Sequence, residues 1–278
     1  MEQSFELIRS RQNRTVVEAA KLTDRKVREA TKRFRFDGIK LLEEALSNRL
    51  ELTHILLRES NSEAIKASVF HHFGDHALAA VDRVLTLSDE VFDKISEEKS
   101  PEGIFCVAKH LDSLHNFATI YNGALGEHCF AAVSVRDPGN LGTLMRTAAA
   151  LGIDTLILSS DCADVYSPKT LRASMGALFR LKTVRCRDIN KTLESLPENS
   201  IIPIAASLSD KAGTLGISPL PDNVCFVVGN EGHGLPQDVI ASCAGGEIII
   251  PMETGAESLN VSAAASILLW EDYRRRIK

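Results

Sequence analysis

The chain has 278 residues, of which 44% are hydrophobic and 25% are charged, and its formal net charge is −5. This balance is typical of a folded protein with one large or two ordinary domains, and it excludes a disordered or an overall basic chain. The N-terminus lacks the apolar core of a signal peptide and no apolar run approaches the ~20 residues of a membrane span, so we expect a soluble, cytoplasmic protein with no membrane partner.

Positive charge is concentrated locally. Residues 9–35 hold ten Lys or Arg against three acids, and residues 169–187 hold six basic side chains and no acid. Such patches can bind a polyanion, although each one alone is also typical of a solvated helix face. None of the six cysteines forms a C-x-x-C pair, and several lie in apolar segments, which favours free thiols in a reducing compartment.

The first half of the chain predicts a small α/β domain. Amphipathic helix is expected from about residue 14, continuing through residues 36–50 (FDGIKLLEEALSNRL), followed by a strand at 53–59 and a helix near 62–73. An apolar strand is expected at 103–110. The next stretch lacks clean periodicity, so we predict a first domain at 1–110, a linker at 111–127 and a second domain at 128–278.

The second half alternates apolar strands with helices. Such alternation predicts a parallel sheet covered by helices on both faces, with ligands bound at the carboxyl ends of the strands. Strands are predicted at 129–135, 155–159, 181–185, 201–206, 224–228 and 247–251. Helices are predicted at 141–151, 168–179, 189–196, 235–243 and 258–276.

Three polar, glycine-rich loops follow strands of this sheet, and we expect them to form one site. In the first loop, Asn140 is predicted to cap a helix that begins at Leu141, with Arg146 on the same side of that helix. The alternative is a capped helix with a surface arginine. In the third loop, Ser258 is predicted to cap the last helix, which places Asn260 in its first turn.

The second loop, residues 227–236 (VVGNEGHGLP), has three glycines around Glu231 and His233. This glycine density indicates either close approach to a ligand or backbone with positive φ. The loop contains neither G-K-[ST] nor G-x-G-x-x-G, so it does not support a phosphate loop or a nicotinamide cofactor.

Together the three loops resemble the three motifs of the SpoU (TrmH) family of ribose methyltransferases, in the SPOUT superfamily. The first motif, N-x-G-x-x-x-R, is matched by Asn140, Gly142 and Arg146. The second, G-x-E-x-x-G-L, is matched by Gly229, Glu231, Gly234 and Leu235, and the third, S-L-N-V-S, by residues 258–262. Residues 172–181 (RASMGALFRL) are also similar, and the resemblance covers roughly residues 128–275.

The first half resembles the N-terminal substrate-binding domain of many members, which is similar to a small ribosomal RNA-binding protein. Asp37 stands where that domain commonly has Glu. The family resemblance implies a C-terminal SPOUT domain with a deep trefoil knot, a homodimer, and S-adenosylmethionine as the methyl donor. It also implies methylation of a ribose 2′-hydroxyl in RNA, with 23S rRNA as the first choice of substrate and tRNA as the second.

The resemblance also implies roles for individual residues. Arg146 is the catalytic candidate, lent across the dimer interface, and a permanently charged guanidinium suits electrostatic stabilisation better than proton removal. Asn140 and Asn260 would orient the site, and Glu231 would hold Arg146 or an RNA group. The residues expected to hold the cofactor, largely through backbone groups, are Gly229, Asn230, Gly234, Ile250, Met252, Ser258 and Leu259.

Two alternatives remain at this stage. The chain could be an RNA-binding protein that kept the fold without the chemistry, or a nucleotide-dependent oxidoreductase, which the missing phosphate fingerprint disfavours.

A histidine cluster at 71–76 (HHFGDH) places His72 and His76 four residues apart, as metal ligands on a helix are. Gly74 weakens that helix and no further ligand is evident, so no metal site is expected.

Overall fold

The computed structural model describes residues 7–74, 78, 81–96, 101–111 and 125–277. The chain divides into two compact units. The first unit contains Met1–His110 and Tyr166–Phe179, and the second contains Leu111–Val165 and Arg180–Lys278. Most of the predicted linker lies outside the described residues, so its boundaries stay a prediction.

The first unit is built on a five-stranded mixed sheet with the strand order β1-β4-β3-β5-β2. Strands β1, β4 and β3 are parallel, whereas β5 runs antiparallel to both β3 and β2. The strands are β1 (Leu7–Ile8), β2 (Arg33–Asp37), β3 (Leu52–Arg58), β4 (Arg83–Leu87) and β5 (Ile104–Lys109). The helices of residues 1–110 are α1 (Arg14–Lys21), α2 (Arg25–Thr31), α3 (Ile39–Ser47), α4 (Ser62–Phe73) and α5 (Asp89–Ile95).

Strand β2 corrects the expectation of continuous helix from residue 14 onward. It is an edge strand, but its alternating Arg and Phe side chains are buried on both faces, which favours an extended strand that other elements cover on both sides. Phe34 stacks on Tyr166 with 4.5 Å between ring centroids, and Phe36 lies 5.3 Å from Phe179. These ring contacts explain why Tyr166–Phe179 belongs to the first unit, although the predicted boundaries place that segment in the second domain.

The second unit contains a seven-stranded sheet in which every pair of neighbouring strands is parallel. The strand order is β10-β12-β9-β11-β6-β7-β8. Its strands are β6 (Cys129–Ala132), β7 (Thr155–Leu158), β8 (Lys182–Arg185), β9 (Ile202–Ala206), β10 (Gly213–Thr214), β11 (Val224–Val228) and β12 (Glu247–Ile249). The helices from residue 138 onward are α6 (Pro138–Ala150), α7 (Pro168–Ser174, in the first unit), α8 (Ile189–Ser195), α9 (Gln237–Ala241) and α10 (Val261–Arg276).

The predicted α/β class with a parallel sheet is confirmed, and all six strands expected in the second half are present. The short strand β10 was not predicted. The helix expected at 168–179 stops at Ser174, because Met175 and Gly176 adopt left-handed backbone with φ of 50° and 81°. A 3₁₀ turn, Ala177–Phe179, follows. The trefoil knot stays a prediction.

Helix α9 begins at Gln237 instead of 235, and the two helices that carry the site asparagines also begin at residues other than those expected. Helix α6 begins at Pro138, and its N-cap is Asp137, whose side chain accepts a hydrogen bond from the Asn140 N–H at 2.8 Å. Proline suits the first helical position because it has no N–H to satisfy. Helix α10 begins at Val261 with Asn260 as its N-cap, so Ser258 lies before the helix. These two helix starts matter for the site, because they determine the positions of the Asn140 and Asn260 side chains and therefore their possible hydrogen-bond partners.

Candidate active site

Two of the three loops emerge side by side from neighbouring strands. Strands β6 and β11 are paired in parallel, with Ala132 beside Val228 near their carboxyl ends. The loops that follow therefore start at the same edge of the sheet, as expected for ligand sites in such sheets. Asn230 ties the loops together, because its Nδ2 donates a hydrogen bond to the Ser134 carbonyl at 2.9 Å.

A chain of side-chain hydrogen bonds joins all three loops. Asn140 Nδ2 donates to Glu231 Oε1 at 2.7 Å, and Asn260 Nδ2 donates to Asn140 Oδ1 at 3.1 Å. These partners are separated by 91 and 120 residues along the chain. The structure therefore brings together Asn140, Glu231 and Asn260, three of the four predicted catalytic residues, and the three loops meet as the sequence predicts.

The second loop is a tight turn that requires glycine at its first position. The backbones of Asn230 and Gly234 exchange two hydrogen bonds, of 3.1 and 2.9 Å. A Cβ at Gly229 would lie 2.4 Å from the Gly234 carbonyl carbon, a backbone atom that cannot move aside. At Gly232 a Cβ would meet only Asn230 Oδ1, at 3.5 Å. Glycine at 229 therefore permits close approach of two backbone segments, and Gly234 has the positive φ, of 66°, that was the second predicted reason for the glycines.

A cavity of about 570 Å³ lies beside this turn, entirely within the second unit. All seven residues predicted to bind the cofactor line it: Gly229, Asn230, Gly234, Ile250, Met252, Ser258 and Leu259. A further part of the wall was not predicted from the sequence. It consists of residues after β9, the start of α9 and strand β12: Ser207, Leu208, Ser209, Gln237, Ile240, Glu247 and Ile248. These residues carry no motif, and the pairing of β9 with both β11 and β12 brings those of β12 and of the loop after β9 to the cavity.

Comparison with known proteins matches both halves of the chain. Residues 127–270 match the SpoU rRNA Methylase family, and residues 13–106 match the MRM3-like substrate binding domain. The chain belongs to the SpoU rRNA methylase family. The Bacillus subtilis 23S rRNA guanosine 2′-O-methyltransferase RlmP is 30% identical over 95% of this chain and 97% of its own length. An uncharacterized tRNA/rRNA methyltransferase of Synechocystis is 28% identical over 97% and 94% of the two chains.

Solved structures of similar proteins align with nearly the full length of this chain. An rRNA methyltransferase from Sinorhizobium meliloti superposes with a TM-score of 0.80 at 26% identity, covering 99% of each chain. An AdoMet-bound rRNA methyltransferase from the same organism gives 0.76 at 27% identity, again with 99% of each chain covered. The SpoU methyltransferase AviRb of Streptomyces viridochromogenes, at 22% identity and a TM-score of 0.78, supports the fold.

Arg146, the fourth predicted catalytic residue, lies apart from the hydrogen-bond chain. It is exposed on α6 and forms no ion pair or hydrogen bond with any residue that the structure describes. It is also absent from the cavity lining. Within one chain the Glu231 carboxylate accepts hydrogen bonds from Asn140 and Asn230 and not from Arg146, and its contact with Arg146 of a second copy or with RNA stays a prediction.

Asp161, in the loop after β7, is a charged residue of the SpoU methylase that sequence reasoning missed. Partial burial opposes its ionised form, but hydrogen bonds from Ser134 and Ser159 and from the Arg136 guanidinium outweigh that effect and lower the pKa of Asp161 to about 2. Its carboxylate is therefore charged at neutral pH. No sequence motif marks it, since its partners come from two different loops.

Other expected features are located as follows. All six cysteines are buried and free. His72 lies in α4 and bonds the Ser68 carbonyl at 2.9 Å, whereas Asp75 and His76 lie outside the described residues. The described residues contain no group of three or more potential metal ligands. None of the helices in the described part of the chain is long and apolar enough to cross a membrane.

Proposed function

We propose that this SpoU methylase transfers a methyl group from S-adenosylmethionine to a ribose 2′-hydroxyl of ribosomal RNA. One observation carries the proposal: the three family motifs meet through Asn140, Glu231 and Asn260 beside a cavity in the family-matched half of the chain. The full-length Bacillus subtilis relative is named for 23S rRNA, which supports that RNA as the substrate class.

The cavity fits S-adenosylmethionine in both surface and charge. Ile250, Met252 and Leu259 offer apolar surface for an adenine ring, and we propose that backbone groups of the loops that line the cavity bind the polar edges of the ring. The lining contains no Lys or Arg, so no positive side chain among the described residues repels the cationic sulfonium there. When bound, S-adenosylmethionine supplies an electrophilic methyl group.

Arg146 is proposed to stabilise negative charge at the acceptor oxygen or to hold the neighbouring phosphate. A guanidinium is permanently protonated, so it suits these roles better than that of a base. Asn140 and Asn260 would orient the acceptor ribose, and Glu231 would fix both asparagines through Asn140. Because Arg146 does not line the cavity of its own chain, we propose that it acts at the cavity of a second copy.

The homodimer is supported by the exposed face of α10. Ala263, Ile267, Trp270 and Arg274 are exposed at spacings of four, three and four residues, so they form one stripe along the helix. Ile267 is 40% and Trp270 is 52% exposed, and two large apolar side chains on one helix face favour burial against another chain. We propose a second copy of this chain as the occupant.

The first unit is proposed to bind the RNA. Some of its positive residues are neutralised at the surface, since Arg14 pairs with Glu18 and Arg25 with Glu29, each at 2.7 Å. Lys21, Lys26 and Lys32 are exposed and are proposed to contact phosphates. The predicted domain boundaries, the knot and the cytoplasmic location belong to the same proposal.

The test is methyl transfer from labelled S-adenosylmethionine to rRNA and, separately, to tRNA, with alkali-resistant linkages as the product. Arg146→Ala is expected to lower kcat about a hundredfold or more, because that is the usual effect of removing one hydrogen-bond donor that stabilises a transition state. Its affinity for S-adenosylmethionine, measured by calorimetry, is expected to stay unchanged. Lys211→Ala, which removes an exposed positive charge outside both basic segments, is the control. A wild-type protein that binds no S-adenosylmethionine would instead indicate a non-catalytic RNA-binding protein.

A further inference from the structure

The turn after β6 has a backbone conformation that its residue does not favour. Ser134 has φ of +55°, in the left-handed region that residues with a Cβ rarely occupy. Its carbonyl accepts the 2.9 Å hydrogen bond from Asn230 Nδ2. The direction of this carbonyl, and hence the anchor of Asn230, depends on keeping Ser134 left-handed.

Asp161 and Ser159 hold that conformation through a closed set of hydrogen bonds. The Ser134 N–H donates to Ser159 Oγ at 2.8 Å, and Ser159 Oγ donates to Asp161 Oδ1 at 2.6 Å. Ser134 Oγ donates to Asp161 Oδ2 at 2.6 Å, and Arg136 Nη2 donates to the same oxygen at 3.1 Å. One carboxylate therefore fixes the backbone and side chain of Ser134 as well as the guanidinium two residues later.

The effect reaches the cavity through Asn230. Asn230 lines the cavity, and its Oδ1 accepts the Gly232 N–H at 2.9 Å, so the side chain shapes the turn around itself. The next residue, Glu231, is the acceptor for Asn140. A shift of the Ser134 carbonyl would therefore move the cavity wall and the first link of the asparagine chain together.

We propose that Asp161 is a positioning residue for methyl transfer, which fixes the left-handed turn at Ser134 and through it the place of Asn230 in the cavity wall. Asp161 lies outside the three family motifs and does not line the cavity. The inference rests on the proposed function. Because the pKa of Asp161 is about 2, its effect is constant across neutral and alkaline pH, unlike that of a group that exchanges a proton in the reaction.

The test compares Asp161→Asn, which keeps the shape and removes the charge, with Asp222→Asn as the control. Asp222 is exposed and forms no ion pair or hydrogen bond within the described part of the chain. Asp161→Asn is expected to raise the Kd for S-adenosylmethionine about tenfold and to lower kcat, because it loses charge-assisted hydrogen bonds. The KM for RNA and the shape of the pH profile are expected to stay unchanged. Asp222→Asn is expected to match wild type.

A second comparison separates positioning from general stability. Ser134→Gly supplies a residue that accepts left-handed backbone without help, so adding Asp161→Asn to it should raise the Kd by less than about twofold. An equal loss in both backgrounds, or an Asp161→Asn protein that binds like wild type, overturns the proposal. If Asp161→Asn does not fold, Ser134→Ala replaces it, with the same expected loss relative to Ser134→Gly. Wild-type protein that binds no S-adenosylmethionine refutes the proposed function instead.

Discussion

Asn260 has two structural roles at the residue scale. Its Oδ1 accepts the Ser262 N–H at 2.9 Å and caps α10, while its Nδ2 donates to Asn140 at 3.1 Å. The first role stabilises a helix, and the second connects the third loop to the first. Because serine is as good an N-cap as asparagine but lacks an amide donor, a substitution can separate these roles.

Asn260→Ser is expected to keep the free energy of unfolding within about 0.5 kcal/mol of wild type, while losing most methyl-transfer activity. Asn260→Ala should lose the activity and also cost about 1 kcal/mol, because the cap is gone. Urea denaturation and RNA methylation assays measure the two effects. An active Asn260→Ser protein would contradict the orienting role of the amide.

Gly229 gives a second prediction at the same scale. Gly229→Ala is expected to weaken cofactor binding strongly, because its Cβ would lie 2.4 Å from backbone that must move. Gly232→Ala, three residues along the same turn, meets only a side-chain oxygen at 3.5 Å and is expected to bind nearly normally. Calorimetric titration with S-adenosylmethionine compares them, and equal affinities would show that the turn is not rigid.

At the scale of elements, α10 carries the proposed contact between copies. Ile267→Lys is expected to give a particle near 30.4 kDa, the mass of one chain, because a charge would have to be buried in the interface. Ile217→Lys, at a position 82% exposed and outside α10, should leave the mass unchanged. Sedimentation velocity reports the mass of each variant.

The single tryptophan supplies an independent readout of that contact. Trp270 is half exposed in one chain, so association that covers it should shift its fluorescence emission to shorter wavelength as concentration rises. A wild-type protein of one-chain mass with a constant emission spectrum would rule out α10 as the interface.

Most elements of the second half could be predicted from the sequence, because apolar runs and turn residues are local signals. The helix starts were less accurate: Asp137, Asn140, Ser258 and Asn260 are all good capping residues, and only the structure shows which of them cap. Strand β2 was missed because its burial depends on rings from Tyr166–Phe179, more than 120 residues away. Such partners leave no trace in local periodicity.

At the scale of the whole molecule, the cysteines give a simple prediction. Burial raises the pKa of the Cys129 and Cys243 thiols to about 12 and that of Cys186 to about 11, and it also raises the pKa of the other three. Because the thiolate is the reactive form, all six should react slowly with a thiol reagent at pH 8 and quickly after unfolding. A fast-reacting thiol in folded protein would contradict this burial.

The site could be predicted as far as its motifs extend. The residues proposed to hold the cofactor line one cavity and three of the proposed catalytic residues lie together, because the carboxyl ends of parallel strands share one edge, while their roles stay predictions. The wall contributed by Ser207 and Glu247 could not be foreseen, since it depends on the strand order, with β9 between β12 and β11. Asp161 was missed for the same reason, because its hydrogen bonds cross between strands.

The link between Asn140 and Asn260 also bears on when a newly made chain can become active under the proposed function. A ribosome adds Asn260 only after 120 further peptide bonds have followed Asn140, so the first loop waits without its partner for much of translation. Contacts this distant form late in folding. If Asn140 and Asn260 orient the acceptor ribose as proposed, we expect a nascent chain to be inactive toward RNA until Asn260 and helix α10 have been made.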